Sequence, residues 1–277
     1  MKAGLNLFSV RGMIRTEEDF LSTAIKLREA GYSYLQYSGA AFDAERIKRV
    51  SERSGLPVLL THVPMERILA DTEKLMEEHA LFGCKNIGLG MMPLKILTDE
   101  NACKETIGAL ERAAEKMEEN DFKFFYHHHH FEFSKFSDGE TVFGYMLKQT
   151  KHINFTADTY WLQYGGAALP SFFDRLAGRM DCVHLKDYRI GRDKEDALKL
   201  RPEFAPVGDG LLDFKTLVEK MKALGAKYYF VEQDDAETYP DYSGVLCEHY
   251  TETVTVNGKP ETRRRTRTFS VSGDYQK

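Results

Sequence analysis

Apolar and polar positions along this chain fall into two alternating textures. Short apolar runs of strand length are followed by longer charged stretches with helical period, the pattern of βα repetition around a parallel sheet. Residues 3–8, 33–37, 57–61, 86–89, 123–126, 153–158, 182–186 and 227–232 read as eight strands. The stretches 16–30, 43–54, 65–82, 99–120, 139–149, 168–176 and 213–224 read as the helices between them. Eight strands joined by helical crossovers point to a closed (β/α)8 TIM barrel rather than an open sheet. A length of 277 residues suits one such barrel.

Two stretches break the pattern. Residues 187–210 form a charged segment where a connection of a few residues would suffice. After the seventh strand it reads either as a lid over the carboxyl ends of the strands or as a plain surface loop. The second break follows Tyr250: TETVTV, then Asn257-Gly258, then ETRRRTRTFSV alternates across a turn signal. A β-hairpin over residues 251–272 is predicted, with Pro260 at the start of its second strand, where proline is tolerated. The chain therefore divides into a barrel catalytic domain, 1–250, and a C-terminal extension, 251–277. A barrel normally ends with a covering helix. Only residues 237–248 offer one, and Pro240 and Gly244 weaken it.

Composition narrows the class. At 42% hydrophobic and 29% charged residues, the chain can bury a large core. A net charge of −5 argues against a nucleic-acid partner, because phosphate binding wants a basic face. No apolar run has the length of a signal peptide, and none approaches the roughly 18 residues of a membrane span. Cys84, Cys103, Cys182 and Cys247 fall at wide spacings without a CxxC pair, so reduced thiols and a cytoplasmic location are expected. The expected partner is a small molecule, and a homo-oligomer stays open.

In a βα barrel, chemistry sits at the carboxyl ends of the strands. Glu132 follows the fifth strand in YHHHHFEF, and Asp158 ends the sixth in NFTADTYW. His184 lies in the seventh in VHLKDY, and Glu232 ends the eighth in YYFVEQD. Three carboxylates and one imidazole from four neighbouring strands make a hard, oxygen-rich site. It suits one divalent metal, Mn2+ first, with Mg2+, Co2+ or Zn2+ as alternatives. Any one of the four could be a buried polar residue satisfied by hydrogen bonds. Together they ask for a cation, since a buried carboxylate costs several kcal/mol unless paired or metal-bound. The histidine run at 127–130 lies between FKFFY and FEF, so it belongs to the fold. Strand alternation sends His127 and His129 to one side and His128 and His130 to the other. His129 is read as a contact behind the metal or to substrate, and His128 and His130 as structural.

YHHHHFEF resembles the YHNHxxEF motif of the sugar phosphate isomerase/epimerase group, which has the xylose isomerase-like TIM barrel. GLNLFSVRGM, DTYW, HLKDY, PVGDGLLDF and VEQDD extend the likeness in order from Lys2 to Asp235. The resemblance implies Glu132, Asp158, His184 and Glu232 as metal ligands and Glu132 and Glu232 as catalytic acid and base. It also implies Lys186 and His129 at the sugar, and His62 and Trp161 are placed at the substrate with them. There are departures: His128 stands where the motif has asparagine, and Asp209 where many relatives have glutamate. Trp161 replaces a histidine that ketose 3-epimerases tend to carry three residues after the metal-binding aspartate. An aromatic wall there suits a keto-glycoside, although the residue could equally pack the core.

The chemistry that follows is proton removal beside a ketone, with the metal stabilising the developing enolate. Proton return to the opposite face gives epimerisation, and transfer to the neighbouring carbon gives isomerisation. The expected function is therefore a metal-dependent sugar epimerase or isomerase acting on a keto-sugar or keto-glycoside through an enediolate. Loss of a β-substituent from the same enolate gives the alternative, a lyase like the inosose dehydratases or enzymes that cleave 3-keto-glycosides. A non-catalytic subunit that interacts through its β tail is a third reading. DNA-repair endonucleases share the barrel, but they need a histidine-rich three-metal cluster and a basic groove.

Overall fold

The computed structural model describes residues 2–192, 196, 198–238, 247–256 and 259–268. In chain order the strands are β1 (Gly4–Asn6), β2 (Tyr34–Tyr37), β3 (Val58–His62), β4 (Asn86–Leu89), β5 (Lys123–His127), β6 (Asn154–Asp158), β7 (Cys182–Leu185), β8 (Asp187–Arg192), β9 (Leu200–Ala205), β10 (Tyr228–Val231), β11 (Cys247–Val256) and β12 (Lys259–Thr268). Eight of them close into a barrel of parallel strands in the order β1-β10-β7-β6-β5-β4-β3-β2. The expected (β/α)8 barrel is present.

The helices are α1 (Glu17–Glu29), α2 (Ala44–Ser54), α3 (Met65–Ala70), α4 (Thr72–Ala80), α5 (Leu94–Leu97), α6 (Glu100–Glu118), α7 (Val142–Gln149), α8 (Thr159–Tyr164), α9 (Leu169–Arg175) and α10 (Phe214–Ala223). Their starts follow local chemistry. Thr16 and Asp19 form a reciprocal capping box on α1, and Asp43 and Asp99 accept from the third residues of α2 and α6. The single helix expected over 65–82 is two, because Asp71 leaves helical geometry at φ −126°, ψ 35°. The first strand is shorter than expected. The Asn6 side chain accepts from Phe8 N, and the chain turns at once into a 3-10 segment, Leu7–Met13.

Strand alternation sorts the core. Tyr34, Leu60, Phe125, Cys182 and Phe230 pack against one another inside the barrel. Phe124, Tyr126 and Phe155 point outward, into the larger cluster shared with the helices. Tyr34 crosses the floor of the barrel, donating to Lys2 O at 3.1 Å and accepting from Tyr229 N at 2.9 Å. A Cβ on Gly4 would lie 2.3 Å from that ring, so only glycine fits there. Two residues beyond each interior residue stands a polar one: Gln36, His62, His127, His184 and Glu232. The period of the strand thus builds one polar tier on top of an apolar plug.

Residues 187–210 are a two-stranded antiparallel ribbon, β8 with β9, running from Asp187↔Ala205 to Arg192↔Leu200. Its base is stapled by the buried Asp187. One carboxylate oxygen accepts from Gly208 N and Gly210 N, both at 3.0 Å, and the other from Tyr188 N at 2.8 Å and Leu212 N at 3.2 Å. A Cβ on Gly210 would sit 2.3 Å from that carboxylate, which explains the second glycine of PVGDG. The ring of Phe204 packs on Tyr160 at 4.8 Å, so the ribbon leans on α8.

The expected C-terminal hairpin is formed by β11 and β12. It begins at Cys247, ahead of the expected boundary, and the pairing Val256↔Lys259 leaves a two-residue link. That link, Asn257-Gly258, and residues 269–277 lie outside the described residues. The register sets Glu248 opposite Arg267 and Glu252 opposite Arg263. The helix considered over 237–248 does not form among its described residues. Ala236–Thr238 is a 3-10 turn, and Cys247 already opens β11. Among the described residues, no helix is long and apolar enough to cross a membrane.

Candidate metal centre

At the carboxyl end of the barrel, β5, β6, β7 and β10 deliver His127, Asp158, His184 and Glu232, all buried. One ligand atom from each lies within 4.8 Å of the others. The register explains the convergence, because Asp158 and His184 are direct partners across β6 and β7, and Phe230, two residues before Glu232, pairs with His184. His184 Nδ1 stands 2.7 Å from Glu232 Oε2 and 3.6 Å from Asp158 Oδ2, and His127 Nε2 stands 3.3 Å from the same aspartate oxygen.

The surrounding hydrogen bonds fix both imidazoles. His127 Nδ1–H donates to Gly90 O at 3.0 Å, leaving the Nε2 lone pair turned inward. His184 Nε2–H donates to Gln36 Oε1 at 2.7 Å, leaving Nδ1 turned inward. The other end of the Gln36 amide meets His62 Nε2 at 2.9 Å, and His62 Nδ1 meets Ser38 Oγ at 3.2 Å. Lone pairs therefore face carboxylate oxygens across the centre. His184 Nδ1 and Glu232 Oε2 are both buried without a hydrogen-bond partner. A cation, or protons in its place, must reconcile them. Two nitrogens and two carboxylates fit a divalent metal of borderline or hard character.

The electrostatics agree. Burial works against a charged His184, but Glu232 and Asp158 override it and hold the imidazole up at about 9. Burial, aided by His184, pushes His127 down to about 3, so its inward nitrogen is free at neutral pH. Lys186, 1% exposed, places Nζ 2.9 Å from Asp234, 3.2 Å from Asp158 and 3.3 Å from Glu232. Burial opposes its charge too, yet the three carboxylates hold it well above the ordinary lysine range.

Of the ligands expected from sequence, Asp158, His184 and Glu232 meet. Glu132 does not join them. It sits in the 3-10 turn Phe131–Phe133, behind the strand, where its carboxylate accepts from Tyr126 OH at 2.6 Å and His129 N at 2.8 Å. Burial pushes its carboxyl up, and those two donors pull the other way. His127 takes the fourth position, because it continues the inward face of Phe125, while Glu132 lies beyond the strand. The two-residue alternation from Phe125 was the signal for it.

His62, His129 and Lys186, expected at the substrate, line one cavity of about 740 Å3 together with His127, Glu232 and Asp234. Trp161 is not among its lining residues. Its backbone N–H donates to Asp158 Oδ1 at 2.9 Å, and its ring packs on His129, on His130 and beneath the Lys186 ammonium at 5.4 Å. It stands behind the site rather than at its mouth. His128 is structural, accepting from Asp158 N at 3.1 Å and stacking on Phe143. Gln36 and Asp234 were not singled out from sequence. Both follow from the same alternation, one on β2 and the other beyond β10.

The barrel is similar to a sugar phosphate isomerase/epimerase from Parabacteroides distasonis, with 20% identity and a TM-score of 0.71 over 88% of this chain and 91% of that one. It is also similar to a xylose isomerase-like TIM barrel protein from Mycobacterium smegmatis in complex with magnesium, at 13% identity and a TM-score of 0.61 over 83% and 88% of the two chains. The probable 3-DHS dehydratase involved in petrobactin synthesis from Bacillus anthracis gives 11% identity and a TM-score of 0.57 over 84% and 92%. At these identities the likeness is one of fold. Among curated proteins, none matches the chain. Residues 25–248 match the family model, and the chain belongs to the xylose isomerase-like TIM barrel family.

Proposed function

We propose that this protein is a divalent-metal-dependent isomerase or epimerase of a keto-sugar or keto-glycoside. The observation that carries the reading is the buried group of His127, Asp158, His184 and Glu232, with two inward atoms left without a hydrogen-bond partner. Mn2+ and Mg2+ suit this donor set, and the Mycobacterium smegmatis neighbour binds magnesium. A bound cation supplies Lewis-acid stabilisation of negative charge on a substrate oxygen.

The chain's own groups do the rest. Lys186 offers an ammonium at the edge of the cavity, and the neutral imidazoles of His62 and His129 offer hydrogen bonds to hydroxyls. Glu232 is the base expected from sequence, and it reaches the cavity from the β10 side together with Asp234. Burial pushes the Asp234 carboxyl up to about 6 despite Lys186, which leaves it able to hold a proton near neutrality. Proton return from Asp234, on the same wall as Glu232, gives isomerisation between neighbouring carbons. Return from solvent on the opposite wall, where the neutral imidazoles of His62 and His129 stand, gives epimerisation. Glu132 becomes a positioning residue that holds the backbone of His129.

The test is solvent exchange. The Mn2+-loaded protein is incubated with a panel of keto-sugars and keto-glycosides in D2O and followed by NMR. Deuterium beside the carbonyl, with an isomer or epimer formed and the mass otherwise conserved, supports the reading. Release of water or aglycone replaces it with the lyase, and no exchange on any member refutes both.

A further inference from the structure

The cavity has two unlike ends. Around the metal centre it is polar, with His62, His127, His129, Lys186, Glu232 and Asp234. Away from the centre, toward the loops after β1, β3 and β4, the wall is made by Phe8, Val63, Pro64, Met65, Met91 and Pro93. At about 740 Å3 the space lies in the upper part of the usual range for small-molecule sites, and one sugar ring does not fill it.

Charge is distributed just as unevenly. Among the described residues that line the cavity, Lys186 is the only cation besides the histidines, and it is already engaged by three carboxylates at 2.9–3.3 Å. Arg11, near the rim, is spent as well. It pairs with Glu237 at 3.1 Å and donates to the carbonyls of Phe8 and Asp234. Glu66, Glu232 and Asp234 all face the cavity. A divalent cation and Lys186 together bring three positive charges against the four carboxylates of Glu66, Asp158, Glu232 and Asp234. Among the described residues no surplus of positive charge is left for a phosphate dianion, which wants an arginine or lysine fork. The two helices that start on this wall, α3 and α5, have only six and four residues, and Glu66 already sits in the first turn of α3.

Resting on the sugar-enzyme reading above, we infer that the cavity takes an uncharged sugar carrying an apolar, preferably aromatic, substituent, and that it rejects sugar phosphates. The sugar ring lies at the polar end, with its hydroxyls toward His62 and His129. The substituent lies against Phe8, Met65 and Met91, where burial drives binding and methionine sulfur adapts to an aromatic face.

The experiment reads binding, not turnover. Isothermal titration of the Mn2+-loaded full chain uses three probes: glucose, glucose 6-phosphate and phenyl β-glucoside. The expected result is phenyl β-glucoside bound at least tenfold more tightly than glucose, with glucose 6-phosphate no tighter than glucose. In Met65→Gln and Met91→Gln, both at partly buried positions, the preference for the phenyl glycoside shrinks severalfold while glucose affinity holds. Tighter binding of glucose 6-phosphate than of either neutral probe overturns the inference. So does phenyl β-glucoside within twofold of glucose, or no binding of the phenyl glycoside. Solvent exchange can fail while this preference stands, and the preference can fail while exchange is seen, so the two readings fall separately.

Discussion

Exchanging the roles of His127 and Glu132 is the most direct trial of the metal centre. In His127→Gln the inward nitrogen facing Asp158 Oδ2 at 3.3 Å is lost, and with it one of four ligand-type side chains. Removing a group that merely orients a ligand typically costs 10–100-fold in metal affinity, so losing a ligand should cost about 100-fold or more, roughly 2.8 kcal/mol. Stability should change less, because the lost contact to Gly90 O at 3.0 Å is one hydrogen bond, worth about 1 kcal/mol. Glu132→Gln inverts the pattern. The buried carboxylate accepts from Tyr126 OH at 2.6 Å and His129 N at 2.8 Å, and an amide oxygen serves both poorly. Hydrogen bonds to a charged group are worth about 1.5–3 kcal/mol, so a loss of roughly 2–4 kcal/mol is expected, lowering Tm by roughly 5–15 °C. Metal affinity should stay within a few-fold. Mn2+ affinity from the free-ion EPR signal and Tm from circular dichroism separate the two. A Glu132→Gln protein that folds normally but binds Mn2+ 100-fold more weakly, beside a His127→Gln protein that binds it normally, would refute the assignment.

Four further outcomes are expected. His184 carries a raised pKa of about 9 without metal, so the proton on its nitrogen competes with the cation. Mn2+ affinity should climb as pH rises from about 6.5 toward 9, with proton release seen by titration in buffers of different ionisation enthalpy. The same group works the other way on the metal-free fold. Its stabilising contribution is complete below its unfolded pKa of about 6.5 and is lost as pH rises through 9, so metal-free Tm should drop over that window. Gln36→Leu removes the acceptor at 2.7 Å that orients His184, which should weaken Mn2+ by roughly 10–100-fold and change the His184 tautomer seen in 15N NMR. An unchanged tautomer would dismiss the bridge. Deletion after Tyr250 removes most of β11 and all of β12, and because a two-stranded ribbon is marginal alone, oligomer size or Tm should change while Mn2+ binding is kept. Identical size and melting would make the hairpin a dispensable appendage.

How much of this was written in the sequence depends on the range of the interaction. The barrel was legible because an eightfold alternation of apolar runs and amphipathic stretches is a local signal repeated many times. Asp158, His184 and Glu232 were legible because each lies at a strand end, where position alone implies the mouth of the barrel. His127 was obscured by its neighbours. Four histidines and a glutamate crowd one strand end, and only the inward face of Phe125 shows which side chain points to the axis. The break at Asp71 and the ribbon at 187–210 left weaker signals, since a bend at one residue and a pairing across a charged segment are decided by tertiary contacts. Trp161 was placed at the mouth by its distance from Asp158, but as the third residue of α8 it turns back against His129 and His130.

Asp187 has a consequence of its own. Its carboxylate gathers the two legs of the ribbon at one point, so the chain leaves β7 and returns toward α10 almost where it left. To the barrel, the loop between is a detour of no net length. Closure entropy grows only slowly with loop size, so residues between the staple points can be added, removed or exchanged with little cost to the fold. The ribbon is in effect a cassette. What reaches the candidate metal centre from that side can be rewritten there, while the strands that carry His127, Asp158, His184 and Glu232 keep their register.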